Sequence, residues 1–326
     1  MTRRLRATAS VLAGVLAITA FGGGVAAGPR VVTEAARHSA TFGSGSARSW
    51  MSPAAERGDL LYVSDLKTAE VDVFSYPGGT LVGKLVGFTT PEGECVDKAG
   101  DVFVTDPYSS TIQEYAHGGT APILTLSPAG YLPNGCAVDP RTGALAVTEN
   151  PFGSAAGGLL LYRHVKGTPT VYSIPNIFRP AFDGYDSNGN LYVDGVGGCC
   201  LDFELAELPA GGHAFSAITV NVTLGFPGAV QWDGTYLAIG DQGAGRGPSK
   251  IDRFSISGSA ATEVGTTPLS DSCEVLQFWI DHHRVVAGNL CTSGVKYFAY
   301  PAGGNSTKTI GDDIQESYGV TISKAR

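Results

Sequence analysis

The chain has 326 residues, a net charge of −8 and 45 glycines. The acidic excess argues against nucleic acid and anionic membrane surfaces as partners. Abundant glycine together with β-branched residues is typical of an all-β fold with many tight turns.

The first 27 residues have the three parts of a secretory signal peptide. Arg3, Arg4 and Arg6 form a basic start, and an apolar centre follows over residues 11–21, which is too short to span a bilayer comfortably. Residues 25–27 (VAA) fit a small-residue cleavage site. We therefore expect a secreted, extracellular or periplasmic protein with no membrane span after signal removal. A retained membrane anchor is the alternative.

Residues 28–57 are rich in Ala, Arg, Ser and Gly without a clear period, which predicts a flexible lead-in. The sequence that follows has the alternation typical of β-strands, and the clearest example of its repeating unit is residues 91–119. Three short strands are predicted there, around Glu94–Asp97, over Asp101–Asp106 and over Thr111–His117, the last ending at a pair of glycines.

This unit recurs along the chain with three landmarks in phase. A turn that starts with Asp and ends with Gly precedes four of the second strands, a divergent turn at residues 281–283 precedes the last, and a Gly follows each third strand. A polar residue ends each second strand, and these residues are Asp65, Asp106, Glu149, Asp194, Asp241 and Asn289. A period of roughly 40–50 residues with about four strands is typical of a β-propeller blade. The sequence thus predicts an all-β fold, a six-bladed β-propeller over residues 58–326.

The two ends of the repeat array indicate how the ring closes. The first blade lacks an inner strand at its N-terminal side, and Tyr318–Lys324 has the pattern of one. We expect this last strand to pair with Leu60–Asp65, which would remove the open edge of the sheet.

Polar residues recur at the start of the predicted inner strands, which line the central channel of a propeller. We call this end of the channel the top face. The top-face residues are Glu92, Glu94, Asn134, Asp183, Glu274 and Glu316, with Gln231 and Gln277 further down the strands. Oxygen ligands that converge from several strands suit Ca²⁺. Solvation of a water-filled channel is the alternative role for these side chains.

The pattern P-x-G-x-x-V-D-x-x-G in residues 91–106, with a close variant in residues 133–149, resembles NHL repeats and the six-bladed gluconolactonase/regucalcin superfamily. The resemblance implies a divalent metal held by Glu92, Asn134 and Asp183, with Asp183 or Glu94 as the base in lactone or ester hydrolysis. Asp183 departs from this pattern, because it lies two residues beyond the register of Asn134 and shares the register of Glu94.

The repeated acid at the end of each second strand has a simpler explanation than catalysis. An acid present in nearly every repeat is expected to cap the neighbouring loop through hydrogen bonds to the backbone. The histidines fall mainly at the opposite end of the strands from the top face, and no serine nucleophile motif is present in the sequence.

Six cysteines in an exported chain favour disulfides. Cys273 and Cys291 are equidistant from a predicted hairpin turn near residue 282, so we predict a bridge between them. Cys95 and Cys136 lie on inner strands of adjacent repeats, one residue out of phase, and their pairing is left open. The adjacent Cys199 and Cys200 could bond to each other or to other cysteines.

These observations predict a monomeric extracellular binding scaffold rather than an enzyme. Its top-face channel mouth and the long loops at 195–200 and 240–248 would hold a small polar or carbohydrate-like ligand or a partner protein. The alternative is a Ca²⁺-dependent hydrolase of the lactonase or esterase type.

Overall fold

The structure is a computed structural model that describes residues 48–151, 155–198, 202–243 and 247–326. The predicted signal peptide, most of the predicted lead-in, Cys199 and Cys200 lie outside the described residues, as do parts of both long loops. Over the described ranges the regular secondary structure is all β-strand apart from one short 3-10 helix at Pro53–Arg57. Within these ranges no helix has the length and apolarity needed to cross a membrane.

The strands form antiparallel meanders. The first sheet contains β1 (Trp50–Met51), β2 (Leu60–Asp65), β3 (Glu70–Ser75), β4 (Leu81–Leu85) and the last strand, β25 (Ser317–Ser323). The second contains β5 (Glu94–Val96), β6 (Val102–Asp106), β7 (Thr111–Tyr115) and β8 (Pro122–Leu126). The third contains β9 (Pro133–Val138), β10 (Leu145–Glu149), β11 (Gly158–Tyr162) and β12 (Thr170–Tyr172).

The next two meanders share one eight-stranded sheet. They contain β13 (Arg179–Tyr185), β14 (Leu191–Val196), β15 (Phe203–Leu208) and β16 (Ser216–Val220), then β17 (Pro227–Trp232), β18 (Leu237–Asp241), β19 (Lys250–Ser257) and β20 (Ala260–Pro268). The final meander contains β21 (Phe278–Asp281), β22 (Arg284–Ala287), β23 (Val295–Ala299) and β24 (Lys308–Ile310). A short parallel pairing of the outer strands β16 and β20 joins the two meanders, so hydrogen-bonded sheets and sequence repeats do not correspond one to one.

The C-terminal strand closes the first sheet, as the repeat pattern predicts. Strand β25 is buried along its whole length and pairs antiparallel with β2, with Leu60 opposite Ser323 and Val63 opposite Val320. On its other side β25 contacts β5 and β21. The first and last parts of the described chain are therefore tied together by backbone hydrogen bonds.

The first strand of each meander lies at the channel. These strands, β25, β5, β9, β13, β17 and β21, each contact the next in this order, and β21 contacts β25. Glycines allow the close approach: a side chain at Gly93, Gly135 or Gly184 would collide with the backbone of the following inner strand. The arrangement is that of a β-propeller, in which the first strands of successive sheets surround a common axis.

A hydroxyl group joins neighbouring inner strands at three places. The Thr148 hydroxyl accepts the N–H of Gly135 at 2.8 Å, from its own meander, and donates to the Ala181 carbonyl of the next at 2.8 Å. The same two bonds are made by Ser64 (with Gly319 and Glu92) and by Thr105 (with Gly93 and Asn134). Each hydroxyl thus satisfies two buried backbone groups that no sheet ladder pairs.

We expect Thr148→Val to lower the free energy of unfolding by about 1–3 kcal/mol, because it leaves the buried Gly135 N–H without its partner and removes one of the two donors to the Ala181 carbonyl. Thr148→Ser keeps the hydroxyl and should cost much less. Urea unfolding of the two variants beside the unmodified protein measures the difference. A Thr148→Val variant as stable as Thr148→Ser would show that these hydroxyl bonds contribute little.

The repeated acids cap loops, as predicted. Asp106 accepts the backbone N–H groups of Thr89 at 2.7 Å and Thr90 at 3.0 Å, in the loop that enters the inner strand, and of Ser109 in the loop that follows. The corresponding bonds to the entering loop are made by Asp65, Asp241 and Asn289. The side-chain oxygens of these residues accept hydrogen bonds from the backbone of the loops, which explains why such a residue recurs at this position of the repeat.

Asp194 does not belong to this series. It occupies the position of the joining hydroxyl, one residue earlier than the caps, since its neighbour Val193 pairs with Asp183 as Val147 pairs with Cys136. Its Oδ1 accepts the N–H of Phe182 at 2.9 Å. The sequence spacing could not show this one-residue difference.

Two disulfides are present among the described residues. Cys273 and Cys291 are bonded as predicted, with Cα atoms 5.7 Å apart. Cys95 and Cys136, whose pairing the sequence left open, are also bonded and join the inner strands β5 and β9. On the chain-entropy model, loops of these lengths correspond to a stabilisation of about 3 and about 4 kcal/mol.

The predicted lead-in extends too far at its C-terminal end. Trp50–Met51 forms β1 at the outer edge of the first sheet, paired with β4. Gly83 of β4 makes this possible, because a side chain there would collide with the Met51 sulfur. Residues 50–57 therefore belong to the structured domain, although the sequence-based boundary was placed at 58.

Candidate functional site

A cavity of about 320 Å³ occupies part of the channel. Its lining comes from five of the inner strands, from Gln277 just before β21 and from the turns after β9 and β13, and it includes Glu94, Cys136, Asp183 and Val230. Glu92, Asn134, Glu274 and Glu316 do not line it. The cavity lies toward the bottom face, where the inner strands end, whereas the sequence led us to expect a site at the top face.

The inner strands share one register, which sorts the predicted site residues into two levels. A β-bulge inserts one extra residue near the start of β9, β13, β17 and β25. The pairing below the bulge aligns Glu94 with Val104, Cys136 with Val147 and Asp183 with Val193. Glu94, Cys136 and Asp183 are therefore at one level on successive inner strands. Glu92 and Asn134 are one level higher, toward the top face.

Side chains from inner strands that are not neighbours meet near this upper level. The rings of Phe182 and Tyr318 lie 6.1 Å apart, from inner strands that are not neighbours. The Tyr318 hydroxyl donates to Asn134 Oδ1 at 2.7 Å, and Asn134 Nδ2 donates to the Ala181 carbonyl at 3.1 Å. We call Phe182, Tyr318 and Asn134 the plug. Asn134 was predicted as a metal ligand, but both ends of its amide make hydrogen bonds within the plug.

Two glutamines, predicted to lie further down the strands, bind backbone rather than project freely. Gln277 accepts the Glu94 N–H at 3.0 Å and donates to the Glu94 carbonyl at 2.5 Å. Gln231 accepts the Ile280 N–H at 2.7 Å and donates to the Ile280 carbonyl at 3.5 Å. Each glutamine therefore uses both ends of its amide to replace backbone hydrogen bonds between inner strands.

The carboxyl groups of Glu94 and Asp183 are the unusual feature of the cavity. Their residues are 0% and 5% exposed, and within the described residues none of the four carboxyl oxygens has a hydrogen-bond partner. Burial raises the pKa of both groups well above their ordinary values, with the Thr321 backbone opposing the rise for Glu94. Burial therefore favours the protonated form of both groups.

Partly exposed aromatic residues line the cavity near the bottom face. Tyr185, Trp232 and Trp279 are each of intermediate exposure, and the indole Nε1 of Trp232 has no hydrogen-bond partner in the described structure. Burial and the nearby Asp183 raise the pKa of Tyr185. Since Ser187 beyond them is exposed, the cavity opens at this face, with the carboxyl groups at its deep end.

The register places the predicted metal ligands at two levels of the channel. Glu92 and Asn134 lie at the level of the plug, and Asp183 lies below it in the cavity. The described residues contain no group of three or more His, Cys, Asp and Glu side chains placed to hold a metal ion. A Ca²⁺ site formed by Glu92, Asn134 and Asp183 would have to draw its oxygen ligands from both levels, and it stays a prediction.

Other proteins share the fold at low sequence identity. No protein-family model matches the chain, and no curated protein sequence is significantly similar to it. A solved nidogen/laminin complex contains a chain that matches 82% of this one over 100% of its own length, with a TM-score of 0.66 and 14% identity. A protein of unknown function from Bacteroides caccae matches 82% of this chain over 99% of its own, with a TM-score of 0.61 and 12% identity.

A gluconolactonase from Xanthomonas campestris matches 72% of this chain over 83% of its own, with a TM-score of 0.52 and 13% identity. Likenesses at this identity concern the fold. They agree with the resemblance carried by the repeat pattern and with the closed ring of inner strands. The chain therefore has a β-propeller fold, which it shares with the chain of the nidogen/laminin complex and with the gluconolactonase.

Proposed function

We propose that this chain is an exported, six-bladed β-propeller that binds a small polar ligand in its channel cavity. Six inner strands that contact one another in a closed order support the blade count. Two disulfides support an extracellular or otherwise oxidising compartment. The signal-like N-terminus adds to this support.

The two carboxyl groups without partners carry the proposal. A buried polar group without a hydrogen bond costs about 1–3 kcal/mol, and native proteins seldom retain one without a role. Glu94 and Asp183 present two such groups at one level of one cavity. A ligand that supplies the missing partners would recover this energy, so the site is suited to binding.

A thermal-shift experiment tests binding in this cavity. Small probes of different chemistry, namely choline chloride, D-glucose and D-glucono-1,5-lactone, are added at millimolar concentration, and a ligand of the folded state raises the melting temperature. Ala137→Leu narrows the cavity, because Ala137 lines it, whereas Ala217→Leu makes the same change on the outer strand β16. We expect the shift to disappear only in Ala137→Leu. Probes that give no shift, or a shift that Ala137→Leu leaves intact, would contradict the proposal.

Lactone or ester hydrolysis is the alternative, and it makes a different prediction. It requires turnover of D-glucono-1,5-lactone that depends on Ca²⁺ and on Asn134 as well as on Asp183. Hydrolysis followed by pH-stat with and without Ca²⁺, in Asn134→Ala and Asp183→Asn, separates the two functions. Partner-protein binding through the loops at 195–200 and 240–248 stays a further prediction.

A further inference from the structure

We infer that the cavity takes a small organic cation, of the alkylammonium or quaternary ammonium type, with its charge between Glu94 and Asp183. The inference rests on the proposed function and names the ligand class for the same site. It depends on three features of the cavity: which polar groups are available to a ligand, the sign of the charge they can carry, and the aromatic side chains near the opening.

The polar groups available to a ligand at the deep end are acidic. Gln277 and Gln231 use both ends of their amides in bonds to backbone. Glu94 and Asp183 have no such bonds. A neutral sugar needs hydrogen-bond donors and acceptors in similar number, whereas a cation needs acceptors that can become negative. The two carboxyl groups therefore match a cation better than a neutral sugar.

The charged residues of the cavity lining disfavour an anionic ligand more strongly than a neutral one. Among the described residues, the lining contains no Lys, Arg or His, and it includes three acids, Glu94, Asp183 and Asp186. A cation near a buried carboxyl favours its ionised form and so offsets the cost of burial. Bringing an anion to the same place would add to that cost.

Aromatic side chains line the route to the carboxyl groups. Tyr185 and Trp232 are the last residues of β13 and β17, Trp279 is the second residue of β21, and all three line the cavity. A cation over an aromatic face gains about 0.5–2 kcal/mol, and pockets that combine such faces with carboxylates suit quaternary ammonium groups. A bare metal ion would gain nothing from these rings, and the cavity offers it two carboxyl groups rather than a full oxygen shell.

Isothermal titration with a matched pair of probes tests the inference. Choline and its uncharged analogue 3,3-dimethylbutan-1-ol have nearly the same shape and differ in the positive charge. We expect choline to bind at least about tenfold more tightly. Asp183→Asn and Glu94→Gln should each weaken the binding of choline by about tenfold or more. Glu207→Gln, a change on β15 away from the cavity lining, should leave choline binding unchanged.

The protonation of the two carboxyl groups gives a second readout. Choline should bind more tightly as the pH rises from 5 to 7, by up to about tenfold per unit for each proton released. Other titratable groups lie near these two carboxyl groups: Tyr62 near Glu94, and Asp194 and Tyr185 near Asp183. The two tyrosines stay neutral across this range, because burial raises both pKa values.

The outcomes separate this inference from the proposed function. Binding of glucose or of the uncharged analogue as tight as that of choline, abolished by Ala137→Leu, would leave a ligand-binding cavity and overturn the cationic ligand. Binding of Ca²⁺ without choline would also overturn it. Failure of every probe would count against both proposals, and choline binding unchanged in Asp183→Asn and Glu94→Gln would place the cation elsewhere.

Discussion

A chain that ends at residue 316 should fail to fold as a cooperative unit. The deletion removes β25, in which every residue is buried, and exposes the edge of β2 that β25 covers. It also removes Tyr318 from the plug and the contacts of β25 with β5 and β21. We expect loss of the sharp urea transition and aggregation, since an exposed strand edge invites pairing between molecules.

A chain that ends at residue 323 is the matched control. It keeps β25 and removes Lys324 with its ion pairs to Asp59 and Asp281, which are partly exposed and worth about 1 kcal/mol or less each. We expect it to unfold cooperatively, with slightly reduced stability. Cooperative, near-normal unfolding of the chain that ends at 316 would show that β25 does not close the ring.

The double variant Glu94→Gln/Asp183→Asn should be more stable than the unmodified protein at neutral pH. Below about pH 4, both carboxyl groups are protonated in the folded and unfolded chains, so neither makes stability depend on pH. Above this pH the unfolded chain releases the protons, whereas the folded chain retains them because its pKa values are raised. The unmodified protein therefore loses stability as pH rises from about 4 toward the folded-state pKa values.

The size of this loss follows from linkage. Each retained proton costs about 1.4 kcal/mol per pH unit, so a carboxyl that stays protonated to pH 7 costs up to about 4 kcal/mol. Amides do not titrate, and the double variant should remove this slope. Urea unfolding at pH 4, 5, 6 and 7 measures it, with Glu56→Gln, a change at an exposed residue of the 3-10 helix, as a control outside the cavity. Parallel curves for the unmodified protein and the double variant would contradict the buried, protonated state.

The repeat pattern predicted the strands, the turns and the closure of the sheet because each depends on local chemistry. Asp97, for example, accepts the N–H groups of Ala99 and Asp101 in the turn before β6, as expected of an Asp that starts such a turn. The strand before the predicted hairpin turn near residue 282 begins only at Phe278, because the preceding residues follow an irregular path fixed by the Cys273–Cys291 disulfide and by Asn289.

The position of the site could be predicted only in part. The shared register of Glu94 and Asp183 is visible in the sequence, and the structure places both at one level of the cavity. The plug could not be foreseen, because Tyr318 reaches Asn134 across 184 residues of sequence. The alternation of β25 marks Tyr318 as an inner-strand residue, but no local pattern shows that its ring meets side chains of inner strands that are not neighbours.

Carbon-13 NMR of the side-chain carboxyl groups measures most directly whether the cavity holds two neutral acids poised for a ligand. Titration of the folded protein from pH 4 to 8, with Glu94→Gln and Asp183→Asn used to assign the signals, should show both groups still protonated at pH 7. Addition of choline at that pH should shift both signals toward the ionised form. Two carboxyl groups that ionise near pH 4, with signals that do not shift on addition of choline, would contradict the proposed site.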